Sequence, residues 1–87
     1  MHEFRQIGMI LHEVEKTALE NPGSRVDSLQ VRISPLNEMT PGHLRQHFLK
    51  AAHGTVADGA KLEIHISEDF AFPRGQDIYL ESVTLKE

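Results

Sequence analysis

Apolar residues recur at spacings of three and four through the start of the chain: Phe4, Ile7, Leu11, Val14 and Ala18 fall on one stripe. Glu3, Arg5, Glu13, Glu15 and Lys16 lie mostly off it, so the pattern predicts an amphipathic helix over roughly residues 3 to 20. Asn21-Pro22-Gly23-Ser24 stops that helix, because proline cannot continue one and glycine accepts the left-handed conformation that closes one. The period then changes. Leu29, Val31 and Ile33 alternate with Ser28, Gln30 and Arg32, the signature of a strand with one buried face, and Ser34-Pro35 ends it.

Thr40-Pro41 has the form of an N-cap followed by a first helical residue, and Leu44, Phe48, Ala51 and Ala52 then share a face, giving a second helix over about 41 to 53. His53-Gly54-Thr55 breaks it. Leu62, Ile64 and Ile66 alternate with Lys61, Glu63 and His65 as a second strand. Residues 77 to 85 supply a third, in which Ile78 and Leu80 lie in one phase and Val83 and Leu85 in the other; the slip predicts a β-bulge or a strand end buried on both faces. The expected fold is α+β, in the order α-β-α-β-β, with a three-stranded sheet carrying both helices on one face. No repeat, low-complexity stretch or linker divides residues 1 to 87, which read as one domain.

Composition narrows the function. An 87-residue chain is near the lower limit for a core that must stabilise itself, and it has no cysteine for disulfides or thiolate zinc. Its net charge of -4, with both signs interspersed, lacks the concentrated positive charge that nucleic acid requires. Glu3 and Arg5 interrupt any signal-like apolar run, and no segment has the length of a membrane span, so a soluble cytoplasmic protein is expected. There is no glycine-rich phosphate loop with its lysine and no grouping of serine, histidine and acid, so an enzyme is not expected.

The chemistry concentrates at Met1-His2-Glu3. The α-amine of Met1, the imidazole of His2 and the backbone amides of His2 and Glu3 are nitrogen donors within reach of one ion, a set suited to square-planar Ni(II) or Cu(II) rather than to tetrahedral Zn(II). The Glu3 carboxylate is placed to accept from the imidazole and orient it. The alternative is a frayed terminus with a solvated His2. His43 and His47 stand four apart on the second helix, a metal-site spacing without a third ligand, for which a solvated polar face is the plainer account. His12, His53 and His65 fit solvated or capping positions, with His65 on the polar strand face as a further ligand candidate. Phe70 and Phe72 are expected to fold over the core as a plug, or else to form an apolar patch for a partner.

Met1-His2-Glu3, the helix behind it, and above all Gly54-Thr55-Val56-Ala57-Asp58-Gly59-Ala60-Lys61-Leu62-Glu63-Ile64 resemble, almost over the whole chain and in order, the HypA/HybF family of hydrogenase nickel-insertion accessory proteins. Gly59 and Ala60 in that run suit a tight entry where a larger side chain would obstruct backbone approach. The resemblance implies a nickel-binding domain over 1–87 with Met1, His2 and Glu3 as the metal site and Ni(II) as cargo. It also implies a HypB-type GTPase and a hydrogenase large subunit as partners, and delivery of Ni(II) during maturation of a nickel enzyme. Two features depart from the family. Its zinc module with two Cys-x-x-Cys pairs, placed between the second and third strands, is replaced by a short loop over 67–77, so no zinc site is expected. Arg5 stands in a part of the helix where many members have serine. A degenerate paralogue that keeps the fold as an interaction module is the alternative. Exposed sheet edges and the first helix also make a homodimer plausible, beside a monomer that joins only its partner.

Overall fold

The computed structural model describes residues 2–34, 40–67 and 78–87, with side chains from residue 5 onward. The elements follow the expected order: α1 (His2–Glu20), β1 (Arg25–Ile33), α2 (Pro41–Ala52), β2 (Lys61–Ile66) and β3 (Ile78–Lys86). Both helix boundaries have local causes. Gly23 adopts a φ of 89° where α1 ends, a conformation that side chains with a Cβ rarely take. At the start of α2, Thr40 is the N-cap, and its hydroxyl accepts from the His43 amide at 3.2 Å.

The sheet order is β2-β1-β3. β1 runs parallel to β2, with Leu29 opposite Leu62 and Ile33 opposite Ile66, and antiparallel to β3, with Ile33 opposite Ile78. The parallel pair needs a crossover, which α2 provides. Arg45 on α2 donates from Nη1 to the Leu62 carbonyl at 2.7 Å, fastening the helix to the strand it leads into. The phase slip expected in β3 is a bulge: Val31 pairs with Leu80 and Gln30 with Ser82, leaving Glu81 as the extra residue. Because of it, Leu80, Val83 and Leu85 all pack against the core although their spacing breaks alternation. A second shift in register leaves Asp27 of β1 between Val26 and Ser28.

One core lies between the sheet and the two helices, formed by Ile7, Ile10 and Val14 of α1, Leu44, Phe48 and Ala52 of α2, and Leu29, Val31, Ile33, Leu62 and Ile78 of the sheet. Two positions differ from the expected stripes. Ile10 is fully buried while Leu11 is only partly so, and Ala52 is buried while Ala51 is exposed. In each case both neighbours satisfy a helical period, and the element packed opposite decides between them. The other sheet face is polar. Gln30 donates from Nε2 to Ser28 Oγ and Glu63 Oε2, Ser82 Oγ donates to Gln30 Oε1, and Arg32 makes a two-pronged pair with Glu81.

The Gly54-to-Ala60 run is a tight loop between α2 and β2. Gly54 N donates to Asp58 Oδ2 at 2.9 Å, Thr55 Oγ1 donates to the Ala52 carbonyl at 2.6 Å, and Ala57 is buried. The expectation that crowding requires glycine at position 59 is corrected: a Cβ there would meet nothing within 4 Å, whereas its φ of +83° lies in the left-handed region. Backbone conformation, not space, selects the residue. No helix among the described residues is long and apolar enough to cross a membrane.

Candidate metal centre

His2 and Glu3 are the first two residues of α1. Met1 lies outside the described residues, as do the side chains of His2 and Glu3, and with them the expected contact between imidazole and carboxylate. The backbone of the helix start bears on two of the four expected donors. The leading N–H groups of an α-helix have no carbonyl one turn earlier to donate to, so removing the His2 and Glu3 amide protons breaks no helical hydrogen bond. Geometry favours them too. A helical ψ of about −42° keeps successive backbone nitrogens on one side, close to the near-planar N–Cα–C–N link of a five-membered chelate, whereas a strand's ψ of about +135° separates them.

Cation binding at this end is opposed by the helix dipole, whose positive pole lies at the amino terminus. Two deprotonated amides cancel the charge of a divalent ion, so the complete chelate places no net positive charge there. The same arithmetic ties metal uptake to proton release.

Gln6 fixes this end of α1 in the fold. Its Oε1 accepts from the Ile78 amide at 2.9 Å, joining α1 to the first residue of β3. Nothing in the sequence pattern marks Gln6, since a glutamine off the apolar stripe of a helix is ordinary. The 67–77 segment, with Phe70 and Phe72, lies outside the described residues from position 68, so the expected plug does too. Its flanks are described: Ser67 N donates to the Ile33 carbonyl at 2.9 Å, and Ile78 is held by Gln6. The start of α1 and the point where the loop leaves and rejoins the sheet therefore occupy the same end of the molecule.

The remaining histidines are dispersed. His12 is exposed on α1, and His53, 87% exposed, lies 3.6 Å from Asp58 Oδ2. His65 is exposed on the polar sheet face, in register with Arg32. His43 and His47 come together on α2, with their Nε2 atoms 2.9 Å apart. Among the described residues no group of three or more His, Cys, Asp or Glu side chains is placed to hold a metal ion. Among the described residues, the titration clearly displaced is that of Glu81: its hydrogen bonds from Arg32 hold it below its ordinary 4.5 against the opposing effect of desolvation, with lesser help from the charges of Arg32 and His65.

Comparison with known proteins adds to this geometry. The family model described as HypA, hydrogenase/urease nickel incorporation, metallochaperone, matches residues 1–83. The chain is 38% identical over 66 residues to a hydrogenase maturation factor HypA of Archaeoglobus fulgidus, a match covering 76% of this chain and 60% of that protein. It is 32% identical over 83 residues to the factor of the same name from Rhizobium leguminosarum bv. viciae, covering 93% of this chain and 74% of that protein. With the Dechloromonas aromatica factor it shares 36% identity over 64 residues, 74% of this chain and 57% of that protein. The chain thus spans well short of the full length of these relatives. Its 87 residues contain no cysteine and so no Cys-x-x-Cys zinc module.

Proposed function

The chain belongs to the HypA family, and from that premise we propose that it is a cytoplasmic nickel carrier. It binds one Ni(II) through the Met1 amine, the His2 imidazole and the His2 and Glu3 amides, and delivers the ion during maturation of a nickel enzyme such as nickel-iron hydrogenase or urease. The observation that carries this is the family match that begins at residue 1 and so includes Met1-His2-Glu3. The helical start of α1 supports it, since it leaves the required amides unbonded within the helix. A HypB-type GTPase and the large subunit of the hydrogenase are the proposed partners, as the family implies.

Binding expels two amide protons and, below the amine pKa of about 8, a third from the ammonium group. Affinity therefore rises with pH and falls in acid, which lets an acidic or competing environment release the cargo. Intrinsic affinity favours Cu(II) over Ni(II) at such a site, so selectivity rests on supply and partners. Lack of cysteine supports a second reading, in which the domain keeps its fold for docking and carries no metal. Titration with Ni(II) of protein bearing a free Met1 amine, beside His2→Ala, separates the two. One square-planar Ni(II) per chain, read from its visible absorption and lost in His2→Ala and on acidification, is the outcome expected of the carrier; absence of that absorption in the parent protein would leave the docking domain.

A further inference from the structure

The His43 and His47 Nε2 atoms lie 2.9 Å apart, with ring centroids 4.5 Å apart and planes tilted by 44°. Two metal–imidazole bonds of about 2.1 Å meeting at a right angle place their nitrogens about 3.0 Å apart, and at a tetrahedral angle about 3.4 Å. We infer that His43 and His47 form a second metal site, taking a late first-row divalent ion of right-angled geometry, Ni(II) or Cu(II), with its remaining positions open to water or to a donor from elsewhere. In the metal-free protein a proton shared between the two Nε2 atoms occupies the same span. When the ion enters, the donating ring's proton moves through solvent from Nε2 to its own Nδ1, so that both rings bind as neutral Nδ1–H tautomers and both Nε2 lone pairs meet at the metal.

The scaffold beneath the pair is rigid. His43 and His47 share a helix face at i, i+4, while Leu44 and Phe48 beside them are buried in the core and Thr40 caps the turn from which His43 projects. The positive end of the α2 dipole and Lys50 oppose a cation here; the dipole effect fades beyond the first turn and amounts to about a two- to fivefold loss of affinity. The second imidazole more than offsets it, because once one has bound, the other is already at high effective concentration.

The site does not depend on the proposed carrier function, but a two-imidazole site with open positions is suited to take up an ion before or after the stronger amino-terminal chelate.

NiCl2 titration of the His2→Ala protein at neutral pH, followed by NMR of the histidine rings and by thermal melting, tests the site without the amino-terminal chelate. Six-coordinate Ni(II) held by two imidazoles is paramagnetic, unlike square-planar Ni(II) held by amides, so the expected result is selective broadening at His43 and His47 with a rise in Tm. In His47→Gln, and separately in His43→Gln, apparent affinity should fall at least ~10-fold while the melting temperature without metal stays close to that of the parent. Equal broadening at His12, His53 and His65, or unchanged affinity in both glutamine variants, would overturn the assignment. Loss of square-planar absorption on His2→Ala, with the helix site intact, concerns the carrier reading alone.

Discussion

Glu81 owes its surroundings to a single inserted residue. As the extra position of the β3 bulge it turns toward Arg32, whose Nε and Nη2 donate to its two oxygens at 2.8 and 3.0 Å. Those hydrogen bonds lower its pKa from 4.5. Since the folded value is the depressed one, the stabilisation is present above about pH 4.5 and disappears as pH falls through the folded pKa. Arg32→Gln should return the Glu81 titration toward 4.5, as read from its side-chain carboxyl shift by NMR. An unchanged midpoint would mean that the charge of His65, rather than the guanidinium, lowers it. Glutamic acid in a strand predicts none of this, because the partner is remote in sequence and reaches it only through the register.

At the scale of elements, helix α2 begins where it does because Thr40 satisfies an amide that the helix cannot. Thr40→Ala should cost about 1 kcal/mol in urea unfolding, and Thr40→Ser should recover most of it. A cost shared equally by both variants would point to the threonine methyl instead of the cap. These termini were legible in the chain, since Thr40-Pro41 and Asn21-Pro22-Gly23 act locally. The β3 bulge was legible as well, from apolar residues on both sides of a phase slip. The buried member of each adjacent pair, Ile10 over Leu11 and Ala52 over Ala51, was not, because a helical period tolerates either.

For the whole molecule, a small core bears most of the stability. A domain of 87 residues has about 4–13 kcal/mol in total at about 0.05–0.15 kcal/mol per residue. Phe48, 2% exposed, packs where α2 meets the sheet, and Phe48→Ala should remove about 3–5 kcal/mol, read as a large fall in Tm. A fall of only a few degrees would show that neighbouring side chains collapse into the space. The candidate chelate draws on the amide groups that open α1, outside Phe48's helix, so the square-planar Ni(II) absorption per folded chain should be unchanged by the same substitution.

The chain by itself determined the elements, their order and limits, and the polar and apolar faces, and it supplied the candidate donor set Met1-His2-Glu3, because periodicity, capping residues and ligand chemistry act over a few positions. Tertiary structure alone decided that β1 lies between β2 and β3, that Gln6 anchors α1 to Ile78, and that the His43 and His47 rings stand at a chelating distance. Periodicity specifies which face is buried, but strand order and side-chain rotamers depend on what the fold brings against that face from elsewhere in the chain.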